Sequence, residues 1–300
     1  MTKIFVIGNG FDLDHGLPTK YCDFFRYLSS FPEGQIFIDA IEKFSCNYTQ
    51  ELWSNFEEEL GYLSVDTVME EATSRKEEFN SEFDYGPLDD SHITNFLYDD
   101  YYSALGFLDD YVGQWARLID ISNINKKDIY EKIFDRNSVF ITFNYTKVLE
   151  YIYGIDNENI LHIHGDVSNE PIMGHGRDHI SYVDVNIGDL FEEEFRRNIF
   201  SGFSEFYNSS IKDTSSFIKK LKFFLEDHYE NVEEITIIGH SLGKVDAPYF
   251  EFIRDYFDEA RINVLYYDIE DYNRKKISLK GLKFKNFKLV KELKEWTPCE

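Results

Sequence analysis

Cysteine is scarce and long apolar runs are absent in this chain. The three cysteines among 300 residues, Cys22, Cys46 and Cys299, are odd in number and widely spaced. Such usage is typical of a reducing cytoplasm rather than of a disulfide framework. No stretch reaches the roughly 18 apolar residues of a membrane span, and the first residues do not form a charged leader before an apolar segment. We therefore expect a cytoplasmic protein without a membrane anchor.

Basic residues are also few. The chain has 31 Lys and Arg against 56 Asp and Glu, and its formal net charge is −25. A field of this sign repels nucleic-acid phosphates and anionic lipid surfaces, which excludes general nucleic-acid binding. A phosphate-bearing ligand would have to be held locally, by backbone N–H groups and a helix N-terminus.

Aromatic residues are abundant, with 28 Phe and 21 Tyr, and 43% of the residues are hydrophobic. This composition predicts a folded protein with a ring-rich core. Short β-branched runs separated by helical patterns predict an α/β fold with a Rossmann-like, doubly wound and mostly parallel sheet. We predict strands at residues 3–8, 138–143, 160–163, 171–173, 235–238, 262–267 and 284–290. We predict helices at residues 19–30, 146–153, 189–230 (with a break near 208–216) and 248–257.

The predicted sheet is interrupted by a long helical stretch. Apolar residues recur at helical spacing within 36–135, where Trp53 and Leu60 are examples. We therefore predict a Rossmann core formed by residues 1–35 and 136–300, with residues 36–135 as a helical insertion. Glu57 shares a helix face with Trp53 and Leu60, and its placement at a solvated rim or in a site stays open.

Polar residues follow four of the predicted strands. The carboxyl ends of parallel strands meet at one edge of a sheet, where open α/β folds bind their ligands. The sequence therefore predicts one ligand crevice built from four segments: Gly8-Asn9-Gly10-Phe11-Asp12, Asn144, His164-Gly165 and Gly239-His240-Ser241.

The first of these segments is a partial dinucleotide fingerprint. Glycines let the backbone approach a pyrophosphate closely, but position 13, where the third glycine is expected, is Leu. Asp12 and His15 in the same loop make it unlike a plain turn. An ordinary strand–loop turn is the alternative interpretation.

Gly239-His240-Ser241-Leu242-Gly243 fits the G-x-S-x-G pattern of a nucleophilic serine. No histidine follows His240 in the chain, which weakens a serine-hydrolase interpretation without excluding it. The other interpretation is a ligand loop in which Ser241 holds a ribose or phosphate. Asp246 then binds a ribose hydroxyl or caps the next helix.

Four histidines lie within 18 residues: His162, His164, His175 and His179. We predict no metal site here, because no cysteine is near and the nearby carboxylates are few. His164, at the end of a strand, is the better candidate for a general base near neutral pH. Asn144 offers an amide that can orient water or a ribose hydroxyl, or satisfy its own turn.

Taken in order, the motifs resemble the bacterial abortive-infection family AbiH from residue 4 to about residue 257. They are Ile7-Gly8-Asn9-Gly10-Phe11-Asp12, Gly16-Leu17-Pro18-Thr19, Trp53 to Leu60, Thr142-Phe143-Asn144-Tyr145-Thr146, His162-Ile163-His164-Gly165, and Gly239-His240-Ser241-Leu242-Gly243 with Asp246. The resemblance implies a bacterial cytoplasmic protein that acts against bacteriophage.

The same skeleton is similar to a divergent sirtuin-like NAD-binding domain. That resemblance implies NAD as the substrate, with Asn144, His164 and Asp12 as catalytic residues. It implies nucleotide contacts from Gly8, Asn9, Gly10, Phe11, His15, Ser241 and Asp246. The chain lacks the four-cysteine zinc module of sirtuins, which argues against protein deacylation.

Three functions follow from these patterns. The first is an NAD glycohydrolase that acts in abortive infection. The second is a module that binds NAD or ADP-ribose without turnover, and the third is a serine hydrolase that uses Ser241. The expected partners are NAD or a related nucleotide, and the sequence leaves a phage-derived trigger and a homo-oligomer open.

Overall fold

The computed structural model describes residues 2–45, 49–82, 101–134, 138–169, 171–181, 190–227 and 232–291. Within these residues six strands form one sheet in the order β3-β2-β1-β4-β5-β6, and every neighbouring pair is parallel. The strands are β1 (Thr2–Ile7), β2 (Val139–Thr142), β3 (Ile160–His162), β4 (Val232–Ile238), β5 (Arg261–Tyr266) and β6 (Phe287–Lys291). The chain runs outward from β1 to β3, then returns to β4 beside β1, as in doubly wound folds. The predicted Rossmann-like α/β class is confirmed.

Helices connect and flank these strands. They are α1 (Asn9–Asp14), α2 (Tyr21–Leu28), α3 (Pro32–Phe44), α4 (Thr49–Leu52), α5 (Phe56–Leu60), α6 (Val65–Glu82), α7 (Ser103–Leu105), α8 (Leu108–Leu118), α9 (Asp128–Glu131), α10 (Val148–Tyr151), α11 (Leu190–Ser209), α12 (Thr214–Asp227), α13 (Ala247–Tyr256) and α14 (Ile269–Gly281). A short 3₁₀ turn at Asn157–Asn159 leads into β3. In the described part of the chain, no helix is long and apolar enough to cross a bilayer.

The two faces of the sheet have separate cores, because side chains alternate along each strand. Ile4 and Val6 of β1 belong to one buried cluster, which also contains Tyr249 and Phe250. Phe5 and Ile7 belong to the other, which contains rings such as Phe11, Tyr130 and Phe140. A strand that is buried on both faces reads as a continuous apolar run, as β1 does.

The chain forms two compact units. One consists of residues 1–20, 113–172 and 213–300 and contains the sheet; the other consists of residues 21–112 and 173–212. The predicted division placed residues 21–35 and 173–212 in the core and 113–135 in the insertion. The second unit is therefore built from two separate stretches of chain rather than one.

Several local predictions differ from the structure. Residues 171–173 form no strand, and the chain enters α1 at Asn9 directly after Gly8 instead of making an open turn. Helix α14 was not predicted, because its sequence is charged and shows little apolar periodicity. Cys22 is disulfide-bonded, whereas the cysteine usage predicted a reducing environment rather than a disulfide framework.

Candidate functional site

The candidate site lies at the carboxyl ends of β1 and β2. These strands are paired through Ile7 and Thr142, so they end side by side. Asp12 follows β1 on the short helix α1, and Asn144 follows β2 by two residues. Two residues separated by more than 130 positions are thereby brought to one corner of the sheet.

Asp12 is a buried carboxyl group, with 1% of its surface exposed. The Thr146 hydroxyl donates to Asp12 Oδ2 at 2.7 Å, whereas Oδ1 has no hydrogen-bond partner among the described residues. Burial raises the Asp12 pKa to about 6, although Thr146, the Asn144 amide and His162 each act to lower it. The group therefore titrates close to neutral pH.

Asn144 is 6% exposed. Its backbone is fixed, because its N–H donates to Thr142 Oγ1 at 3.1 Å and its carbonyl faces His162 Nδ1 at 2.9 Å. Neither polar atom of its side-chain amide has a hydrogen-bond partner in the described structure. The amide thus lies beside the Asp12 carboxyl without a hydrogen bond of normal geometry. Buried polar atoms of this kind are rare and call for an explanation such as a ligand or bound water.

His162 is the imidazole associated with this pair. Its Nδ1 donates to the Asn144 carbonyl, and its Nε2 lies 3.0 Å from Glu150 Oε1. Sequence reasoning singled out His164 and did not assign roles to Thr146, His162 or Glu150. The signal that could have found His162 is its strand position, two residues after the inward-facing Ile160.

His164 lies in a different environment. It is 3% exposed, and its Nε2 is 3.1 Å from the Tyr249 hydroxyl. Its ring contacts Phe143, Phe217 and Tyr249 at centroid distances of 5.3–5.5 Å. Phe217 and Tyr249 belong to the first core cluster, so His164 is surrounded by packed rings.

The glycine segment differs from the expected phosphate cradle. The Gly8 N–H donates to the Ile238 carbonyl at 2.9 Å, and the Gly10 N–H donates to the Gly239 carbonyl at 2.7 Å. A Cβ at Gly8 or Gly10 would lie only 2.6 or 2.7 Å from the backbone of the loop after β4. Gly8 and Gly10 therefore allow close contact between the start of α1 and the end of β4 with its following loop, and their N–H groups donate to carbonyls there.

Three further predicted nucleotide contacts have structural partners. The Asn9 amide donates to the Thr19 carbonyl at 2.7 Å. Phe11 is buried in the second core cluster. His15 donates from Nδ1 to the Phe11 carbonyl and accepts from the Tyr153 hydroxyl at its Nε2. His15 and Phe11 thus anchor helix α1, which carries Asp12.

Ser241 is exposed. The neighbouring His240 accepts the Leu242 N–H at Nδ1 and lies 3.4 Å from Asp246 Oδ2 through Nε2. Its ring packs against Phe143 and Phe250. Both nitrogens of the one histidine in this motif are therefore engaged with its own loop and with Asp246, which speaks against a Ser241–His240 pair.

The family AbiH, described as "Bacteriophage abortive infection AbiH", matches residues 4–268. The chain belongs to this family. No curated protein and no solved structure gives a significant match. The matched residues contain all of the candidate site, from Asp12 to Asp246. The family assignment places this chain among proteins of anti-phage abortive infection.

In this AbiH family member, the remaining polar motifs are structural or unassigned. Glu57, whose role was left open, pairs with Lys212 at 2.7 Å and accepts from the Tyr21 hydroxyl. His175 faces the Tyr207 carbonyl at 2.9 Å, and burial lowers the His175 pKa. Within the described ranges, no group of three or more His, Cys, Asp or Glu could hold a metal ion.

Proposed function

We propose that this AbiH family member is an abortive-infection effector that cleaves NAD at the bond between nicotinamide and ribose. The observation that carries the proposal is the buried pair of Asp12 and Asn144, whose polar atoms are incompletely hydrogen-bonded. Leaving such groups buried costs stability, typically about 1–3 kcal/mol each. Buried polar groups that lack hydrogen bonds or have a shifted pKa often mark a functional site. In open α/β sheets such sites lie at the carboxyl ends of the strands.

The chemistry suits a carboxylate in this position. Breaking the N-glycosidic bond builds positive charge on the ribose, while water adds to the sugar and releases a proton. A fixed carboxylate in a buried site stabilises such a charge more strongly than water does. With a pKa of about 6, Asp12 is mostly ionised at pH 7 and above. Asn144 would orient the attacking water or a ribose hydroxyl.

Two side chains are candidates for the general base in this reaction. His164 was predicted as the general base, and it is buried beside the Tyr249 hydroxyl. Asp12 is the alternative, because its pKa lies near the working pH. We expect the His164→Gln variant to lose activity if His164 takes the proton, and to retain it if Asp12 does.

Loss of NAD fits the family's role in defence. NAD is shared by many reactions of the infected cell, so its removal would stop both host metabolism and phage replication. Cleavage of NAD by Asp12 and Asn144 would therefore account for a role in abortive infection.

The test is incubation of the purified chain with NAD, followed by chromatography of the products. We expect nicotinamide and ADP-ribose from the native chain, and a loss of about a hundredfold or more in Asn144→Ala. The matched control is Asn123→Ala, because Asn123 is an exposed asparagine. A native chain that releases no nicotinamide, alone or with phage lysate, would overturn the proposal. Calorimetric binding of NAD without turnover would indicate the non-catalytic binding module instead.

A further inference from the structure

A pocket of about 570 Å³ lies beside strand β3, in the unit that contains the sheet. Its volume falls within the range of small-molecule sites. Polar residues dominate its lining, with an apolar patch that includes Phe217. The pocket takes residues from α10, the 3₁₀ turn, β3, the loop after β3, and α12. None of the sequence motifs assigned it a ligand.

Two lysines line this pocket in a chain of strongly negative charge. Lys147 Nζ lies 3.4 Å from Asp166 Oδ2, with 16% of the side chain exposed. Lys220 Nζ lies over the Phe217 ring, 5.1 Å from its centroid. Among the described residues, no carboxylate is within ion-pair distance of Lys220. One ammonium group at the pocket is therefore free to pair with an anion.

Acceptors and amides line the rest of the pocket: Asp166, Glu150, Asn157 and Asn169. Burial acts to raise the Asp166 pKa, but the Ser168 N–H, His162, Lys147 and the Asn169 N–H together hold it below its usual range. Glu150 is 8% exposed at its side chain, and its Oε2 has no hydrogen-bond partner within the described ranges. The carboxylates and amides can accept hydrogen bonds from hydroxyls, and the two carboxylates would repel a second anionic group.

We infer that this pocket binds a phosphorylated ribose, with the phosphate at Lys220 and the sugar hydroxyls at the acceptor wall. A ligand with one anionic end and several hydroxyl groups matches one free ammonium group beside carboxylates and amides. The apolar patch then contacts the carbon face of the sugar. His162 lines the pocket and also donates to the Asn144 carbonyl, so one side chain connects the pocket with the candidate site. The inference does not depend on NAD cleavage.

The test is isothermal titration calorimetry of the full chain with ribose 5-phosphate. We expect binding that weakens about tenfold or more in Lys220→Glu, because a charge-assisted contact is lost. The matched control is Lys219→Glu, which reverses an exposed lysine on the same helix without touching the pocket. We expect it to bind within about twofold of the native chain, since exposed charges interact weakly.

Other probes separate the source of the ligand. ADP-ribose and AMP test whether the phosphorylated ribose belongs to a nucleotide, and ribose and inorganic phosphate test each half alone. We expect either half to bind at least about tenfold more weakly than ribose 5-phosphate. Equal losses in the two lysine variants, phosphate that binds as tightly as ribose 5-phosphate, or no binding of any phosphorylated probe would overturn the inference. Binding that survives in Asp12→Asn while NAD stays intact in the native chain would retain this pocket and reject only the glycohydrolase.

Discussion

Two carboxyl groups buried in the sheet-containing unit, those of Asp12 and Asp271, have opposite electrostatic environments. Asp271, 3% exposed, accepts from Lys275 Nζ at 2.8 Å and from the Tyr267 N–H at 3.3 Å. Lys275 in turn donates to the Leu265 carbonyl. Asp12, 1% exposed, has the Thr146 hydroxyl and a raised pKa. Asp271 is thus neutralised by Lys275, with Arg274 at a longer distance, whereas Oδ1 of Asp12 has no hydrogen-bond partner among the described residues.

The difference indicates which acid the fold needs for its own stability. The buried ion pair of Asp271 and Lys275 fixes α14 against β5. Removing either partner should therefore lower stability without affecting activity directly. A buried carboxyl group without a cation, such as that of Asp12, lowers the free energy of unfolding. Its presence therefore has to be explained by something other than stability. The comparison thus separates a structural acid from a candidate functional one.

The largest expected effect is the loss of activity in Asp12→Asn. Removing the ionisable group should lower NAD cleavage by about a hundred- to ten-thousandfold, because the transition-state charge loses its counter-charge. The measurement is nicotinamide release at pH 7.5. Asp14→Asn is the matched control, since Asp14 lies on the same helix but pairs with Lys127 and Tyr130. Equal activity in Asp12→Asn and the native chain would remove Asp12 from the proposed chemistry.

The next effect concerns the structural acid. Lys275→Met removes the closer of the two cations beside Asp271 and leaves only the longer contact of the exposed Arg274, at 3.4 Å. The free energy of unfolding should fall by about 3 kcal/mol. Urea unfolding measures this change. In the double variant Asp271→Asn with Lys275→Met, much of the loss should be recovered. If Lys275→Met is as stable as the native chain, the Asp271–Lys275 pair does not hold α14 in place.

Asp12→Asn should also change stability, in the opposite direction from Lys275→Met. The folded Asp12 pKa of about 6 lies above the value of 3.8 of an unburied aspartate. The free energy of unfolding of the native chain should therefore fall as pH rises from about 4 to 6, and the cost is complete above that range. The variant should be more stable at pH 7.5 by about 2–3 kcal/mol.

That gain should shrink at pH 5, where the native Asp12 keeps most of its proton. Urea unfolding of both proteins at pH 5 and pH 7.5 measures the difference. A variant that is less stable than the native chain at pH 7.5 would mean that Asp12 is held by contacts stronger than those of Thr146.

The smallest effect is expected for the stability of Asn144→Ala. Its side-chain amide has no hydrogen-bond partner among the described residues. Removing the amide relieves its desolvation cost but also loses its packing contacts, and because these two effects oppose each other the free energy of unfolding should change by less than about 1 kcal/mol. Thermal unfolding at pH 7.5 measures it. A loss of several kcal/mol would show that the amide is structural, which would also undermine the interpretation of its activity loss.

The strands could be predicted because their signal is local. Five of the buried runs, from β1 to β5, are short and β-branched, and each was predicted within three residues of its observed ends. Helix α14 was not predicted, because buried residues such as Asp271 and Lys275 are polar and form no apolar pattern in the sequence. A polar pair buried at i and i+4 is visible only once the helix is known.

The candidate site was predicted in part. The sequence placed Asp12 and Asn144 at strand ends, where parallel topology brings them together. It favoured His164 over His162, and it could not show that the chain turns after His162, where strand alternation no longer applies. It also could not show that the Gly8 N–H donates to Ile238 at the end of β4 and the Gly10 N–H to Gly239 just after it, since these contacts join residues about 230 positions apart.

The tight approach of Gly10 to Gly239 has a consequence for how this family member can vary. Adding even one methyl group at Gly10 would push α1 away from the Gly239 backbone, and the Asp12 carboxyl would move with it. The position of the Asp12 carboxyl is thus fixed from a distance by two residues that have no side chain. Substitution of either glycine would displace this carboxyl, although neither glycine offers a side chain to a ligand.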